Sequence, residues 1–310
     1  MSYPYDLYLT SEQIQLWIDR LWEEAEKKPV KATGLGHRGE MMNVRASAMG
    51  MASIHKFEQE GMRPFYGMWV PYHTGGPRPL VVHTPGYGAE MSFHAELARD
   101  GYNVLELSPM GYWTPDGMAS ELQWPDERGN IWPVLPASVV DPFGPESYFG
   151  WMLNVIGAIR WAMSQPSVMP DRVCFFGTSQ GGGASLLLGS IFKGRGTRCV
   201  CADEPFLTNY PMANFRGAYD HARLGFERME DKDLAWHNVG YVDTMAHAHR
   251  MTYPVLLTLG TIDNVCPPET VQALFDELDT HKALVSFKQH GHGYQYEFIH
   301  HVMTWLKLYA

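Results

Sequence analysis

Arg172-Val173-Cys174-Phe175-Phe176-Gly177-Thr178-Ser179-Gln180-Gly181-Gly182-Gly183 runs from an apolar segment into a glycine-rich turn, and Ala184 to Phe192 carries on as a helical stretch. Gly177 to Gly181 spells G-x-S-x-G. Strand, tight turn and helix in that order are the context in which a serine is lifted out of a sheet as an exposed nucleophile. The turn requires glycine on both sides of Ser179, because a Cβ at Gly177 or Gly181 would crowd the strained backbone and the facing strand. The hydroxyl is then left at a helix N-terminus. There the free N–H groups and the helix dipole favour the negative charge that develops in an acyl-transfer transition state.

Outward from this turn, strands and helices alternate. Strand-like runs are Tyr66–Tyr72, Pro79–Thr84, Asn103–Leu107, Arg172–Phe176, Arg198–Ala202, Pro254–Leu259 and Ala283–Phe287. Helical runs are Ser92–Arg99, Tyr148–Ser164, Gly182–Phe192, Pro268–Leu278 and Gln295–Leu308. Several strands are apolar throughout, as in Val255-Leu256-Leu257-Thr258-Leu259, which is expected where helices cover both faces of a sheet. The alternation predicts an α/β fold with a doubly wound, mostly parallel sheet. Before it, Thr10 to Lys28 reads as an amphipathic helix. Ile14, Trp17, Ile18, Leu21, Trp22 and Ala25 form its apolar stripe, and Thr10 with Gln13 resembles a capping box. Residues 1–60 are accordingly expected to be a helical extension of one domain spanning 1–310. Two long insertions interrupt the core, and such segments often serve as lids or substrate walls. One, residues 112–147, is rich in Trp (Trp113, Trp124, Trp132) and Pro; the other is residues 206–250.

A serine hydroxyl needs a base, usually a histidine oriented by a carboxylate. Both follow Ser179 in the chain. Asp263 comes just past the apolar strand Val255–Leu259, at the strand end where catalytic groups gather in open α/β sheets. Lys288-Gln289-His290-Gly291-His292-Gly293 follows the last strand-like run. His290 and His292 are both candidates for the base; the glycines flanking His292 favour it, because they allow close approach to the turn. Asp203, after the strand ending near Ala202, competes with Asp263 as the acid. The oxyanion is expected to be held by the backbone N–H of Gln180 and by one from the loop His83-Thr84-Pro85-Gly86-Tyr87-Gly88. Pro85 has no N–H to give, which points to Tyr87.

Composition narrows the class. With 45% hydrophobic residues among 310, the chain can bury a sizeable core. A formal charge of −10 argues against nucleic acid or an anionic membrane as partner, since both need a basic patch. Met1 to Asp6 has neither a basic nor an apolar signal region, so a cytoplasmic location is expected. The four cysteines, Cys174, Cys199, Cys201 and Cys266, lack zinc-site spacing and read as buried thiols. His290, His292, His300 and His301 are not joined by convergent carboxylate or cysteine ligands, so no metal or other cofactor is expected.

Several stretches are similar to the acetyl xylan esterase and cephalosporin C deacetylase family, carbohydrate esterase family 7. They are Gly177 to Gly183, Asp203-Glu204-Pro205-Phe206-Leu207, Tyr241-Val242-Asp243-Thr244-Met245, Pro254-Val255-Leu256, and Asp263-Asn264-Val265-Cys266-Pro267-Pro268-Glu269-Thr270-Val271. The likeness is strong from about Tyr148 onward and weak in the first sixty residues. It implies an α/β-hydrolase fold with Ser179 as nucleophile, His292 as base, Asp263 as acid, and Tyr87 and Gln180 at the oxyanion. It also implies removal of acetyl groups from small sugars and a homo-oligomer, commonly a ring-like hexamer. The sequence departs from the family where Pro85 replaces a histidine, where Pro109-Met110-Gly111-Tyr112 replaces Arg-Gly-Gln, and where Gly293 replaces a glutamate. These departures bear on substrate and assembly rather than on the triad.

The sequence therefore predicts a serine esterase for short acyl esters, acetylated xylo-oligosaccharides among them. The rival readings are a carboxylesterase for another small ester, a peptidase of the prolyl-oligopeptidase type, and a binding protein that kept the fold. The absence of a long propeller domain argues against the peptidase, and the intact order of serine, acid and histidine against the binding protein.

Overall fold

The computed structural model describes residues 9–36, 52–72, 74–87, 91, 94–111, 113–114, 117–118, 134–293 and 295–310. The strands are β1 (Lys31–Gly36), β2 (Ser53–Glu58), β3 (Phe65–Val70), β4 (Arg78–Thr84), β5 (Asn103–Ser108), β6 (Trp113–Thr114), β7 (Gly117–Met118), β8 (Val168–Thr178), β9 (Thr197–Asp203), β10 (Val255–Gly260) and β11 (Lys282–Phe287). The helices are α1 (Ser11–Lys27), α2 (Ala95–Arg99), α3 (Val134–Val140), α4 (Tyr148–Met163), α5 (Gln180–Ile191), α6 (Tyr210–Ala213), α7 (Arg223–Arg228), α8 (Lys232–Gly240), α9 (Pro268–Glu277) and α10 (Tyr296–Tyr309). Among the described residues β6 and β7 pair with each other, and the other strands form one sheet in the order β1-β2-β3-β5-β4-β8-β9-β10-β11. From β5 to β11 its neighbours run parallel. β1, β2 and β3 join antiparallel at one edge.

Side-chain alternation along β8 explains why both faces must be covered. Val173 and Phe175 point into the larger apolar cluster, Cys174 and Phe176 into the smaller one. The larger cluster is closed by Trp17 and Leu21 of α1, Trp151 and Val155 of α4, and Leu186 and Leu187 of α5. The smaller is closed by Leu97 of α2 and by Phe298, Val302 and Leu306 of α10. α4 lies deep enough that almost every position on it is buried, which matches its apolar character all round. The result is the doubly wound, mostly parallel α/β sheet that the alternating pattern predicts. The four thiols are free and buried.

Thr10 caps α1 as a true capping box. Its Oγ1 accepts from the Gln13 N–H at 3.3 Å, and Gln13 Oε1 accepts from the Thr10 N–H at 2.9 Å. All six stripe residues are buried. The indole N–H of Trp17 donates to Pro142 O at 3.1 Å and that of Trp22 to Ile191 O at 3.3 Å, so both tryptophans dock α1 against the core.

One expectation needs correction. Residues 1–60 are not purely a helical extension, because β1 and β2 extend the main sheet in register Lys31↔Glu58. Their side chains do not alternate: only Ile54 and Phe57 of β2 are buried, three residues apart, so the strands are held by backbone pairing that leaves no period-2 signature. Within the insertion 112–147 the structure adds a helix that the sequence did not mark, α3, buried through Val134, Leu135 and Val139. Trp124 and Trp132 lie outside the described residues.

Candidate active site

The C-terminal ends of β4, β8, β9, β10 and β11 converge on one cavity of about 480 Å³. Ser179 stands between β8 and α5 with φ +57° and ψ −120°, a conformation that L-residues rarely adopt. The glycines around it leave no room for side chains. A Cβ on Gly181 would lie 2.0 Å from Thr84 O, and one on Gly177 would lie 2.5 Å from the same oxygen. The strain is held by hydrogen bonds from both sides. The Ser179 N–H donates to Asp203 O at 2.8 Å, and Ser179 O accepts from Phe206 N–H at 2.9 Å. Thr84 Oγ1 donates to Gly181 O at 2.7 Å. As α5 begins at Gln180, the N–H groups of Gln180, Gly181 and Gly182 precede its first backbone bond, from Gly183 N–H to Ser179 O at 3.0 Å, and have no intrahelical acceptors.

His292 lines the same cavity as Ser179, and its Nδ1 hydrogen-bonds Asp263 Oδ2 at 2.8 Å. The other carboxylate oxygen, Asp263 Oδ1, accepts from the Val265 and Cys266 N–H groups at 2.8 and 2.9 Å. The acid and histidine loops are stapled together: Ile262 N–H donates to His290 O at 3.0 Å and Gln289 N–H to Thr261 Oγ1 at 2.8 Å. His290 thus contributes its backbone, and its exposed ring packs near Phe287 instead of entering the site. Asp203, the rival acid, is held away from the imidazole. Its carboxylate accepts from Thr178 Oγ1 at 2.9 Å and from Thr258 Oγ1. Burial, only partly offset by these two bonds, pushes its pKa up to about 6.

Burial by itself would lower the His292 pKa, but the Asp263 hydrogen bond and the nearby carboxylates outweigh it and raise it. A raised pKa makes the imidazole a stronger proton acceptor. No hydrogen bond joins Ser179 to His292 among the described residues; the serine side chain lies against the Cys266 thiol, which burial keeps protonated.

Gly86, Tyr87 and Gln180 line the cavity beside Ser179. The Gln180 side chain is buried and accepts from the Tyr148 hydroxyl at 3.2 Å, which turns it away from the mouth. The Tyr87 ring lies 5.4 Å from that of His221. Phe206, Gly217, Ala218 and His221 complete one wall, so the 206–250 insertion borders the site. Sequence reasoning did not single out His221, Cys266 or Glu204. Cys266 and Glu204 fall inside the quoted family stretches, whereas nothing local marks His221.

Two sets of three metal-ligand-type side chains occur among the described residues. Asp263, Cys266 and His292 belong to the site just described. His83, His94 and Glu106 are buried on the other face of the sheet, beside Phe176. Glu106 Oε1 lies 2.6 Å from His94 Nδ1 in a hydrogen bond, and Oε2 lies 2.6 Å from His83 Nδ1 but off the bond axis. Two ligands on one tetrahedral zinc stand about 3.3 Å apart, given bonds of about 2.0–2.1 Å. The 2.6 Å spacing therefore fits a carboxylate shared by two imidazoles better than an ion site. Burial would raise the Glu106 pKa, but the two histidines overcome it and hold it down at about 2.

The model of the family described as "Acetyl xylan esterase (AXE1)" matches residues 40–309. The acetyl esterase Axe7A of Xylanibacter ruminicola is 31% identical over 262 residues, covering 81% of this chain and 58% of that protein. The chain thus spans little more than half the length of this curated relative. Among solved structures, acetyl xylan esterase 1 from Thermoanaerobacterium sp. JW/SL YS485 superimposes with a TM-score of 0.77 at 22% identity, covering 97% of this chain and 95% of the other. The acetyl xylan esterase from Paenibacillus sp. R4 gives 0.78 at 21% identity, covering 98% and 96%. At such identities these two structures speak to the fold alone, which is that of the α/β-hydrolases.

Proposed function

The chain belongs to the acetyl xylan esterase family, and from that premise we propose that it is a serine esterase that removes acetyl groups from carbohydrate through an acyl-enzyme. The observation that carries this reading is the 2.8 Å hydrogen bond from His292 Nδ1 to Asp263, in the cavity that also holds Ser179 on its strained turn. Asp263 accepts a hydrogen bond from Nδ1–H, which keeps the proton on that nitrogen and leaves Nε2 free to take the Ser179 proton. Ser179 Oγ attacks the acetyl carbonyl, and the negative charge moves onto the carbonyl oxygen. The N–H groups of Gln180 and Tyr87 receive it, each such donor contributing about 3 kcal/mol. His292 then returns its proton to the departing sugar oxygen. Water, deprotonated by the same imidazole, releases acetate and restores the serine. The chemistry needs no group beyond these side chains and water.

A cavity of about 480 Å³ lies within the usual range for small-molecule sites, about 300–1,000 Å³. Its wall of Phe206, Ala218 and Val265 offers apolar contact to a short acyl chain. The test is acetate release from acetylated xylo-oligosaccharides, run beside 4-nitrophenyl acetate and 4-nitrophenyl octanoate, with Ser179→Ala as control. The expected result is release from both acetyl substrates, little from octanoate, and loss of all three activities in the variant. Undiminished turnover by Ser179→Ala would sink the assignment.

A further inference from the structure

A second carboxylate stands behind His292, and the mechanism above makes no use of it. Glu204 follows the last residue of β9 and is fully buried. Its φ is +42°, in the left-handed region that a residue with a long side chain seldom enters. The twist is held by its own N–H, which donates to Thr258 O at 3.2 Å. It directs the side chain under the histidine loop. There Oε2 accepts the Gly293 N–H at 2.8 Å and lies 3.4 Å from His292 Nδ1. Asp263 Oδ2 approaches the same nitrogen at 2.8 Å, so two carboxylates flank one imidazole edge. Room for the carboxyl exists because residue 260 is glycine: a Cβ there would meet Glu204 Oε1 at 2.8 Å. Oε1 itself has no hydrogen-bond partner among the described residues. An acid buried beside two others is costly, and capping one amide does not require it.

We propose that Glu204 is a positioning residue that fixes the orientation of His292 through Gly293 and sets the proton affinity of its imidazole. The inference rests on the serine-esterase reading only for the consequence it has for catalysis. The groups that face Glu204 are Asp203 on its own segment, Asp263 and Cys266 from the loop after β10, and His292 from the loop after β11. Burial pushes the Glu204 pKa up, and Asp203 and Asp263 push it further, to about 7; the Gly293 N–H and His292 pull against them. Glu204 and the imidazole therefore titrate as a linked pair. Once Glu204 has lost its proton, its charge stabilises the imidazolium that forms as Ser179 is deprotonated. A negative neighbour raises a histidine pKa, so removing it lowers that pKa.

The experiment follows the His292 ring proton by NMR across pH, in the wild type and in Glu204→Gln, together with kcat and KM for 4-nitrophenyl acetate. Gln keeps the shape and an acceptor for Gly293 but cannot ionise. The expected result is a His292 pKa about one unit lower in the variant. The acid limb of the rate profile should move to lower pH with it. At pH 8 kcat should fall about tenfold, the factor carried by one pK unit, with KM within about twofold. Glu204→Ala, which also frees Gly293, should fall lower still. An unchanged His292 titration and unchanged kcat in Glu204→Gln overturn the proposal. If neither variant folds, the wild-type ring proton decides: two transitions support a linked pair, and one transition overturns it. If Ser179→Ala still hydrolyses the ester, the esterase reading falls, while the His292 titration still decides the role of Glu204.

Discussion

Replacing Asp263 with Asn leaves the shape of the side chain intact and reverses the hydrogen bond on which the base depends. Asp263 Oδ1 accepts two backbone N–H groups, from Val265 and Cys266 at 2.8 and 2.9 Å. In the variant, the single carbonyl oxygen is held at that position, because turning the amide over would set its NH₂ against both donors. The NH₂ must therefore face His292 Nδ1, where Oδ2 stood at 2.8 Å. Nδ1 becomes the acceptor, the ring proton moves to Nε2, and the nitrogen that should take the serine proton is occupied. Where no other acceptor is at hand, a wrong tautomer of this kind costs about 10⁴-fold in kcat. Glu204 Oε2, 3.4 Å from Nδ1, is a partial substitute that lies beyond good hydrogen-bond range. The expected loss is therefore between about 10³-fold and 10⁴-fold, or roughly 4 to 5.4 kcal/mol at 1.36 kcal/mol per tenfold. In the double variant with Glu204→Gln that partial substitute is gone as well, so the loss should exceed the product of the two single losses, and a double-mutant cycle reads the excess as coupling. The assay is kcat on 4-nitrophenyl acetate at pH 8, corrected for the residual rate of Ser179→Ala, with near-UV circular dichroism and Tm as folding controls. Asp203→Asn is the comparator; its carboxylate touches Thr178 and Thr258, so its rate should stay within about tenfold of wild type. If folded Asp263→Asn keeps more than about a tenth of wild-type kcat, Asp263 does not set the tautomer and the reasoning fails.

The elbow itself makes a stability prediction. Gly181→Ala drives a Cβ to 2.0 Å from Thr84 O and 2.8 Å from Pro85 O, both backbone atoms that cannot swing aside, so a loss above about 3 kcal/mol is expected from the urea midpoint; near-wild-type stability would contradict the close approach. Glu106→Gln breaks the carboxylate shared by His83 and His94 and should cost about 3–5 kcal/mol at neutral pH, read as a drop in Tm. Because its folded pKa of about 2 is below the ordinary 4.5, this contribution is present above pH 4.5 and is lost as pH falls toward 2. The Tm gap between wild type and Glu106→Gln should therefore close over that window, and a gap that is constant from pH 7 to pH 2 would count against the ion network.

Much of the fold was legible because it is written in short stretches of chain. The capping box of α1 needs only Thr10 and Gln13, and its six buried residues are read from helical period alone. The same holds for the elbow, where strand, turn and helix are contiguous. β1 and β2 were not legible, because edge strands held by backbone pairing need no alternation. α3 was hidden by proline and tryptophan around it, and it forms because Val134, Leu135 and Val139 find an apolar surface to cover. The buried His83–His94–Glu106 set joins residues of β4 and β5 to one that precedes α2, and the pattern of none of the three segments hints at the others.

In the candidate site, the sequence by itself determined the residue types, their order along the chain, and their placement at the ends of parallel strands. Local turn chemistry and strand periodicity are sufficient for that. The sequence already favours His292 by its flanking glycines and Asp263 by its family stretch; the tertiary structure adds what each candidate touches. Asp203 ends β9, Asp263 lies just past the end of the neighbouring β10, and both histidines share one loop, so their contacts cannot be read from sequence position. What separates them is which oxygens are already taken. Two threonine hydroxyls occupy Asp203, whereas Asp263 spends one oxygen on its own loop and keeps the other for a histidine 29 residues away. Glu204 meets Gly293 across 89 residues of chain, and that contact exists only because β9 and β11 flank β10 in one sheet.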